Sequence, residues 1–312
     1  MIAIDQGDSQ PEGSSQSPRG EWRVAEPMAK HSSWRVGGSA AHYFEPADRG
    51  DLVAMIQHGQ MPLPLTFVGL GSNILVRNGG IEGTVISTAR GLAAIEINDD
   101  ETLSVECGAP CARVAKTMAE HGLDGGEFLI GIPGTIGGAL SMNAGAFGSE
   151  TWDLVDEVEM LDQTGHVIRL AKSYFDISYR KVKFPMRGWF LGAHLSAAQQ
   201  KAPSEAKQRI RELLKLRSST QPVGTANCGS VFKNPPEDFA GRLIEQAGLK
   251  GMRIGGCVVS EKHANFFIND EHADANDIEQ LVIAVREAVE EKFGIRLEPE
   301  VQIIGNRSED GS

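Results

Sequence analysis

Basic charge, cysteine and long apolar runs are all scarce in this chain, and each shortage removes a class of function. Among its 312 residues, 30 Lys and Arg stand against 42 Asp and Glu, a formal net charge of −12. That balance argues against nucleic acid or an anionic membrane surface as the main partner, because both demand a surplus of cations. An anionic ligand would have to be met by a few local Arg and Lys side chains. No stretch approaches the run of about 20 apolar residues that spans a bilayer, so no membrane insertion is expected. The opening, Met1 to Trp22, has neither a basic nor an apolar leader segment, and the protein is expected to be cytoplasmic. The four cysteines, Cys107, Cys111, Cys228 and Cys257, include no two pairs at ligand spacing and read as buried thiols. The histidines are scattered without an HExxH pattern, so no metal is expected, and the absence of GxxxxGK[ST] excludes a P-loop NTPase.

Glycine, by contrast, is plentiful, and it is concentrated. Five of the fifteen residues from Gly131 to Gly145 are glycine, separated by Ile132, Pro133, Ile136 and Leu140 rather than by the polar spacers of a mobile loop. Glycine lets another group approach the backbone, so clustered glycines offer N–H groups to an anion. This stretch reads as an ordered, largely buried nest for a phosphate-bearing ligand. A second glycine turn, Gly69-Leu70-Gly71-Ser72-Asn73, follows the apolar run Leu65 to Val68. A dinucleotide fingerprint would need a third glycine at position 74 and a helix beyond it. Position 74 is Ile, and Ile74-Leu75-Val76 reads as more strand, which disfavours an ordinary NAD-binding unit. Ahead of both lies His31-Ser32-Ser33-Trp34-Arg35-Val36-Gly37-Gly38, a turn that can place Arg35 and bare backbone against a ligand.

The periodicity predicts an α+β chain in two strand-rich N-terminal lobes and a last domain. Residues 1–21 are expected to be a disordered tail, 22–90 a first lobe, 91–200 a second, 201–306 a C-terminal domain and 307–312 a tail. Helices are expected at Asp51–His58, Pro110–His121, Ser204–Leu216, Phe239–Ala247 and Ile278–Glu290, the Ser204–Leu216 helix linking into the last domain. Hairpins are expected over Leu92–Gly108 and Val155–Leu170, and a strand closes the chain.

Three separated stretches, Gly69 to Asn73, Gly131 to Gly145 and Gly229-Ser230-Val231-Phe232-Lys233-Asn234-Pro235, together resemble the UDP-N-acetylenolpyruvoylglucosamine reductases, with matching order and spacing from about residue 30 to about residue 305. The resemblance implies a flavoenzyme of peptidoglycan precursor synthesis. FAD would be held non-covalently in a two-lobed domain of the vanillyl-alcohol-oxidase/PCMH type, with a C-terminal α+β substrate-binding domain. NADPH would be the co-substrate, UDP-N-acetylglucosamine enolpyruvate the substrate and UDP-N-acetylmuramate the product; a monomer is expected. Carried over position by position, the catalytic residues fall on Arg180, Ser230 and Glu300: Arg180 stabilises charge developing on the substrate, Ser230 delivers a proton to carbon and Glu300 orients the arginine. Cofactor contacts fall on Arg35, Gly69, Gly71, Ser72, Asn73, Gly131, Pro133, Gly134, Gly137, Gly138 and Asn143. Substrate contacts fall on Tyr179, Lys233, Asn234, Lys262 and His263.

Some positions depart from the family pattern. Ser32-Ser33 stands where Asn-Thr is usual, Asn78 where aspartate is frequent, and Cys228 where alanine is; oxidation or alkylation of Cys228 is expected to inactivate. Only 49 residues separate Arg180 from Ser230, too few for the loop that covers the substrate with a tyrosine in one subclass, so the loop-lacking subclass is expected. Two rival readings are an FAD-linked oxidase of the same fold acting on an alcohol or hydroxy acid, and a nucleotide-sugar-binding protein without activity. The glycine nest holds no His or Cys for a flavin tether, against the first; Arg180, Ser230 and Glu300 occurring together weigh against the second.

Overall fold

Residues 18–197 and 201–308 are described by the computed structural model of the chain. A four-stranded sheet comes first, in the order Glu21–Pro27, Ser39–Glu45, Ile81–Ser87, Leu65–Val68; the last three strands are parallel and the first pairs antiparallel. Helix α1 (Arg49–Gln57) crosses over within this lobe and is capped by Asp48, which accepts the Asp51 N–H at 2.9 Å. Asp51 in turn accepts from the N–H groups of Arg19 at 3.0 Å and Gly20 at 2.9 Å. Order therefore reaches back to Arg19 instead of starting at Trp22, because a carboxylate distant in sequence satisfies backbone that composition alone marks as tail. Residues 1–17 and 309–312 of the expected tails lie outside the described residues, while Arg307 stands 3.5 Å from Glu279.

The second lobe is a five-stranded antiparallel sheet ordered Val167–Ala171, Val155–Asp162, Gly188–Leu195, Leu103–Glu106, Ile95–Ile97, so both expected hairpins form. Helix α2 (Cys111–Glu120) buries Val114, Ala115, Met118 and Ala119, and Gly122 with φ of +73° ends it. The glycine nest becomes a 3₁₀ turn, Glu127–Gly131, followed by the short helix α3 (Ile136–Met142). Ile132, Ile136 and Leu140 are buried as expected, but Pro133 is exposed at a cleft edge. Both lobes share one core, in which Phe44, Leu52 and Ile86 meet Leu129, Trp152 and Phe190.

Helix α4 (Pro203–Thr220) differs from expectation. Its Ala206, Ile210 and Leu213 pack into the core of the two lobes, against α2 and the 3₁₀ turn, so α4 closes the N-terminal unit and the crossing to the last domain comes near Gln221 rather than at 201. Its amphipathic stripe is legible in the sequence; which core the stripe joins is not.

The C-terminal domain holds α5 (Ala240–Gln246), α6 (Ala275–Phe293) and a three-stranded sheet of Arg253–Ile254, Cys257–Val259 and Phe267–Asn269. Asp274 and Asp277 form a capping box at the start of α6, and Gly294 in the left-handed region closes its end. This domain is tied to the first lobe at several places. Trp34, fully buried, donates its indole N–H to the Phe267 carbonyl at 2.8 Å and accepts from Asn269 at 2.9 Å. Arg77 forms a two-pronged pair with Glu279 at 2.8 and 2.9 Å. The closing strand, Gln302–Ile304, lies parallel to Ile74–Val76, which confirms that the Gly69–Asn73 turn joins strand to strand.

Candidate active site

The two glycine turns are in direct contact. A Cβ on Gly69 would collide with the hydroxyl of Thr135, and one on Gly134 would lie 3.1 Å from Ser72 Oγ. Gly71, with φ of +62°, lies against the His31 carbonyl, and its own carbonyl accepts the Ser33 N–H at 3.0 Å. The His31–Arg35 turn, the Gly69–Asn73 turn and the Gly131–Gly138 nest thus form one surface.

The glycines within it have different physical roles. The Gly137 N–H is occupied by the Cys107 carbonyl at 2.7 Å, and a Cβ there would stand 2.9 Å from Cys107 Cβ, so this glycine lets α3 lie against the sheet. Around a Cβ on Gly138 there is only Thr135 Oγ1, at 3.8 Å, which leaves bare backbone facing a cleft. That cleft, of about 350 Å³, runs between Leu65–Gly69 and Thr135–Ser141 and is walled by Phe184, Trp189 and Phe190. Trp189 stacks on Phe67 at 4.6 Å. On the other side of Ser72 and Pro133 a second cleft of about 330 Å³ contains Ser33, Arg35 and Gly229. Arg35 holds a left-handed φ of +59° and is exposed there. Arg217, at the end of α4, lines the same cleft; burial lowers its pKa, and among the described residues no carboxylate opposes that. Bare glycine backbone, an aromatic slot and two guanidiniums fit an elongated nucleotide cofactor with a diphosphate.

Arg180 sits in the two-residue turn of a hairpin, Asp176–Ser178 paired with Lys181–Lys183, with φ of +53°. Its Nε donates to Glu300 Oε1 at 3.1 Å, Nη1 to the Asn143 carbonyl at 3.1 Å and Nη2 to the Gly145 carbonyl at 3.0 Å. The neighbouring Tyr179 ring lies 4.9 Å from the guanidinium. Burial raises the Glu300 carboxyl above its usual range, and the Arg180 charge opposes that rise. Asn143 ends α3 in the left-handed conformation and is itself buried, so its amide serves the framework.

Ser230 is brought to the same place by backbone pairing. Glu300 N–H donates to the Val231 carbonyl at 2.8 Å, Lys233 N–H donates to the Glu298 carbonyl at 2.9 Å, and Phe232 bridges Pro299. Asn73, expected as a cofactor contact, spends its amide on the Glu300 carbonyl at 3.1 Å and on Met142 Sδ at 3.3 Å. It therefore ties the glycine turn to the Glu300 segment. Residues remote in the chain, 73, 143, 180 and 300, are joined in one network, and Val231, next to Ser230, is paired with Glu300.

The expected substrate contacts divide. Tyr179 OH accepts from the Asn234 N–H at 3.4 Å, so these two flank the Arg180 cluster. Lys233 Nζ is already paired with Glu298 at 2.6 Å. Lys262 Nζ is held by the Ser218 carbonyl at 2.5 Å, and His263, its pKa lowered by burial, packs edge-on against Phe266. Neither hydrogen-bonds to Arg180 or Glu300. Sequence reasoning missed Asn265, which is buried and clamps Phe232 with both ends of its amide, at 2.9 and 2.8 Å. The Asn-Phe-Phe run in which it lies carries no motif that would have marked it. Cys228 is buried, and burial pushes its thiol up to about 12, so the expectation that oxidation or alkylation there inactivates is not supported by its environment. Among the described residues no cluster of His, Cys, Asp or Glu can hold a metal, and no helix is long and apolar enough to cross a membrane.

Residues 40–171 match the FAD binding domain family, and residues 221–304 match the C-terminal domain of UDP-N-acetylenolpyruvoylglucosamine reductase. The chain is 50% identical over 287 residues to the UDP-N-acetylenolpyruvoylglucosamine reductase of Methylococcus capsulatus, covering 92% of this chain and 94% of that one. It is 49% identical over 292 residues to the corresponding protein of Nitrosococcus oceani, covering 94% and 98%. The crystal structure of the reductase from Thermus caldophilus superposes with a TM-score of 0.78 at 30% identity, over 92% of this chain and 99% of that one.

Proposed function

Because the chain belongs to the UDP-N-acetylenolpyruvoylglucosamine reductase family, whose members are FAD-containing oxidoreductases, we propose that it uses NADPH to reduce UDP-N-acetylglucosamine enolpyruvate to UDP-N-acetylmuramate, in the cytoplasmic stage of peptidoglycan precursor synthesis. The observation that carries the reading is the convergence of Arg180 and Glu300, 3.1 Å apart, beside the strand-like segment that begins at Ser230.

FAD would be held without a covalent bond by the glycine turns, through Gly69, Gly71, Ser72, Gly134 and Gly138, with Arg35 at the second cleft. When bound and reduced by NADPH, FAD would supply the hydride that the methylene carbon of the enolpyruvyl ether takes up. The remaining chemistry belongs to side chains of this protein. Negative charge that then builds on the adjacent carbon spreads into the substrate carboxylate, where the Arg180 guanidinium stabilises it; a preorganised donor of this kind contributes about 3 kcal/mol. Ser230 gives its hydroxyl proton to that carbon and regains one from solvent, completing the addition of two electrons and two hydrogens. Glu300 holds Arg180 in register from a half-buried site, and Asn265 and Asn73 hold the Ser230 and Glu300 segments. Tyr179 and Asn234 line the approach of the sugar nucleotide, with Lys233, once it leaves Glu298, a cation for its diphosphate.

The two lobes, closed by α4, would form the flavin domain and the residues after Gln221 the substrate domain, acting as a monomer. In the assay, purified protein is mixed with NADPH and UDP-N-acetylglucosamine enolpyruvate. NADPH oxidation that depends on the sugar nucleotide, with a product heavier by two hydrogens, is expected. Oxidation of NADPH indifferent to that compound would defeat the reading. Acid precipitation should release yellow flavin, whereas colour in the pellet would mean a covalent link.

A further inference from the structure

Arg180 faces two carboxylates, and only one of them has been given a role. Glu150 Oε1 stands 3.7 Å from Arg180 Nη1, and Glu150 Oε2 accepts from Asn143 Nδ2 at 2.7 Å. Asn143 in turn presents its carbonyl to Arg180 Nη1 at 3.1 Å, so Glu150 reaches the guanidinium both directly and through Asn143. Glu150 also pairs in register with Gly145, whose carbonyl accepts from Arg180 Nη2. A Cβ on Gly145 would lie 3.2 Å from Arg180 Nη1 and 3.1 Å from Glu150 Cγ, so the small hairpin is a fitted seat for the guanidinium. Glu150 itself is fixed, its N–H donating to Asp153 at 2.9 Å as half of a capping box.

We propose that Glu150 is a positioning residue for the reduction, holding Arg180 in place when Glu300 and the substrate carboxylate compete for the guanidinium; this rests on the reductase reading above. When Glu300 shifts with the reacting end of the substrate, Arg180 keeps only the Asn143 and Gly145 carbonyls, and both belong to the segment that Glu150 braces through the Asn143 amide and its pairing with Gly145. Without Glu150 that seat can shift, and about 1 Å of displacement at such a group costs on the order of a hundredfold in rate.

Stopped-flow measurement of the separate half-reactions tests this. With Glu150→Ala, reoxidation of reduced flavin by UDP-N-acetylglucosamine enolpyruvate is expected to slow by about a hundredfold. Flavin content and flavin reduction by NADPH should stay within about twofold of the parent. Introduced into an Arg180→Ala background, the same change should cost no more than about twofold, because residues acting as a unit are not additive. Glu150→Gln keeps an acceptor for Asn143 and the turn cap, so it carries the test if the alanine variant fails to fold; its loss should be about tenfold, since an amide N–H₂ then faces the guanidinium. Parent-like reoxidation in either variant, or a full Glu150 effect persisting without Arg180, overturns the proposal. Should the unaltered protein not be reoxidised by the substrate at all, the reductase reading fails first, and visibly so.

Discussion

On the proposed mechanism, replacing Ser230 by alanine should separate proton delivery from everything else the site does. The segment containing Ser230 is held through main-chain groups: Val231 N–H to the Asn265 carbonyl at 2.9 Å, Val231 carbonyl to Glu300 N–H at 2.8 Å, and Phe232 to the Asn265 amide. None of these uses the serine hydroxyl, and Ser230 is only partly buried, so the change should alter folding stability by no more than about 0.5 kcal/mol. A positioned general acid contributes on the order of 10² to 10⁴ in rate. That corresponds to about 3–5 kcal/mol of barrier at about 1.4 kcal/mol per factor of ten. The expected result is therefore a large loss confined to one half-reaction: flavin absorbance should bleach with NADPH at the parent rate and recover with the enolpyruvyl substrate hundreds of times more slowly. Ser230→Cys, with a thiol of lower pKa than a hydroxyl, should regain part of the loss. Equal slowing of both half-reactions would mean that Ser230 is a structural residue. No slowing in either would mean that another group delivers the proton.

Three further results are expected. Glu300→Gln should reduce turnover sharply while leaving the melting temperature at pH 7 unchanged or higher. Burial raises the folded-state pKa of Glu300, so its stabilising contribution is present below the ordinary carboxylate range and lost as pH rises through the raised value. The same shift places the acid limb of parent turnover above the usual carboxylate range, because protonation of Glu300 releases Arg180, and the variant should lack that limb. Asn265→Ala leaves the N–H and carbonyl of buried Phe232 unpaired, a loss of about 2–4 kcal/mol in urea unfolding, with reoxidation slowed as the Ser230 segment loosens. All four thiols are buried and pushed up to about 12, so a disulfide reagent should titrate none in the native protein and four after denaturation; rapid native labelling at Cys228 would contradict its placement.

Much of the fold was legible because its signals are local. Alternation marked the hairpins of the second lobe, spacing marked α2 and α6, and the Ile at position 74 correctly refused a dinucleotide fold. What escaped was whatever depends on partners distant in sequence. Arg19 looks like tail until Asp51 accepts from its backbone N–H, at 3.0 Å, across 32 positions. The stripe of α4 points to a core without saying which. The same holds at the site: glycines 69, 71, 134, 137 and 138 all read as phosphate cradle, yet Gly137 has its N–H bonded to Cys107, and only a space test on each position tells close packing from open backbone.

The pattern of ties around the site also says which of its parts are joined firmly. Glu300 is bound to the Gly69–Asn73 turn through Asn73 and to the Ser230 segment through Val231, and the next strand, Gln302–Ile304, is laid in register on Ile74–Val76. Ser230, Glu300 and the first glycine turn therefore form one body of main-chain links. Arg180 belongs to the other side, seated on Asn143 and Gly145 of the second lobe, and it reaches that body by a side-chain pair at 3.1 Å. The two lobes share one core, so any opening for the sugar nucleotide would come at the C-terminal segments, and it would part the Arg180–Glu300 side-chain pair before a backbone ladder. The guanidinium must then return to the same place on every turnover, which requires that its seat on the second lobe be rigid without Glu300. That is the physical reason for expecting the carboxylate behind it, Glu150, to matter to the rate while leaving the fold intact.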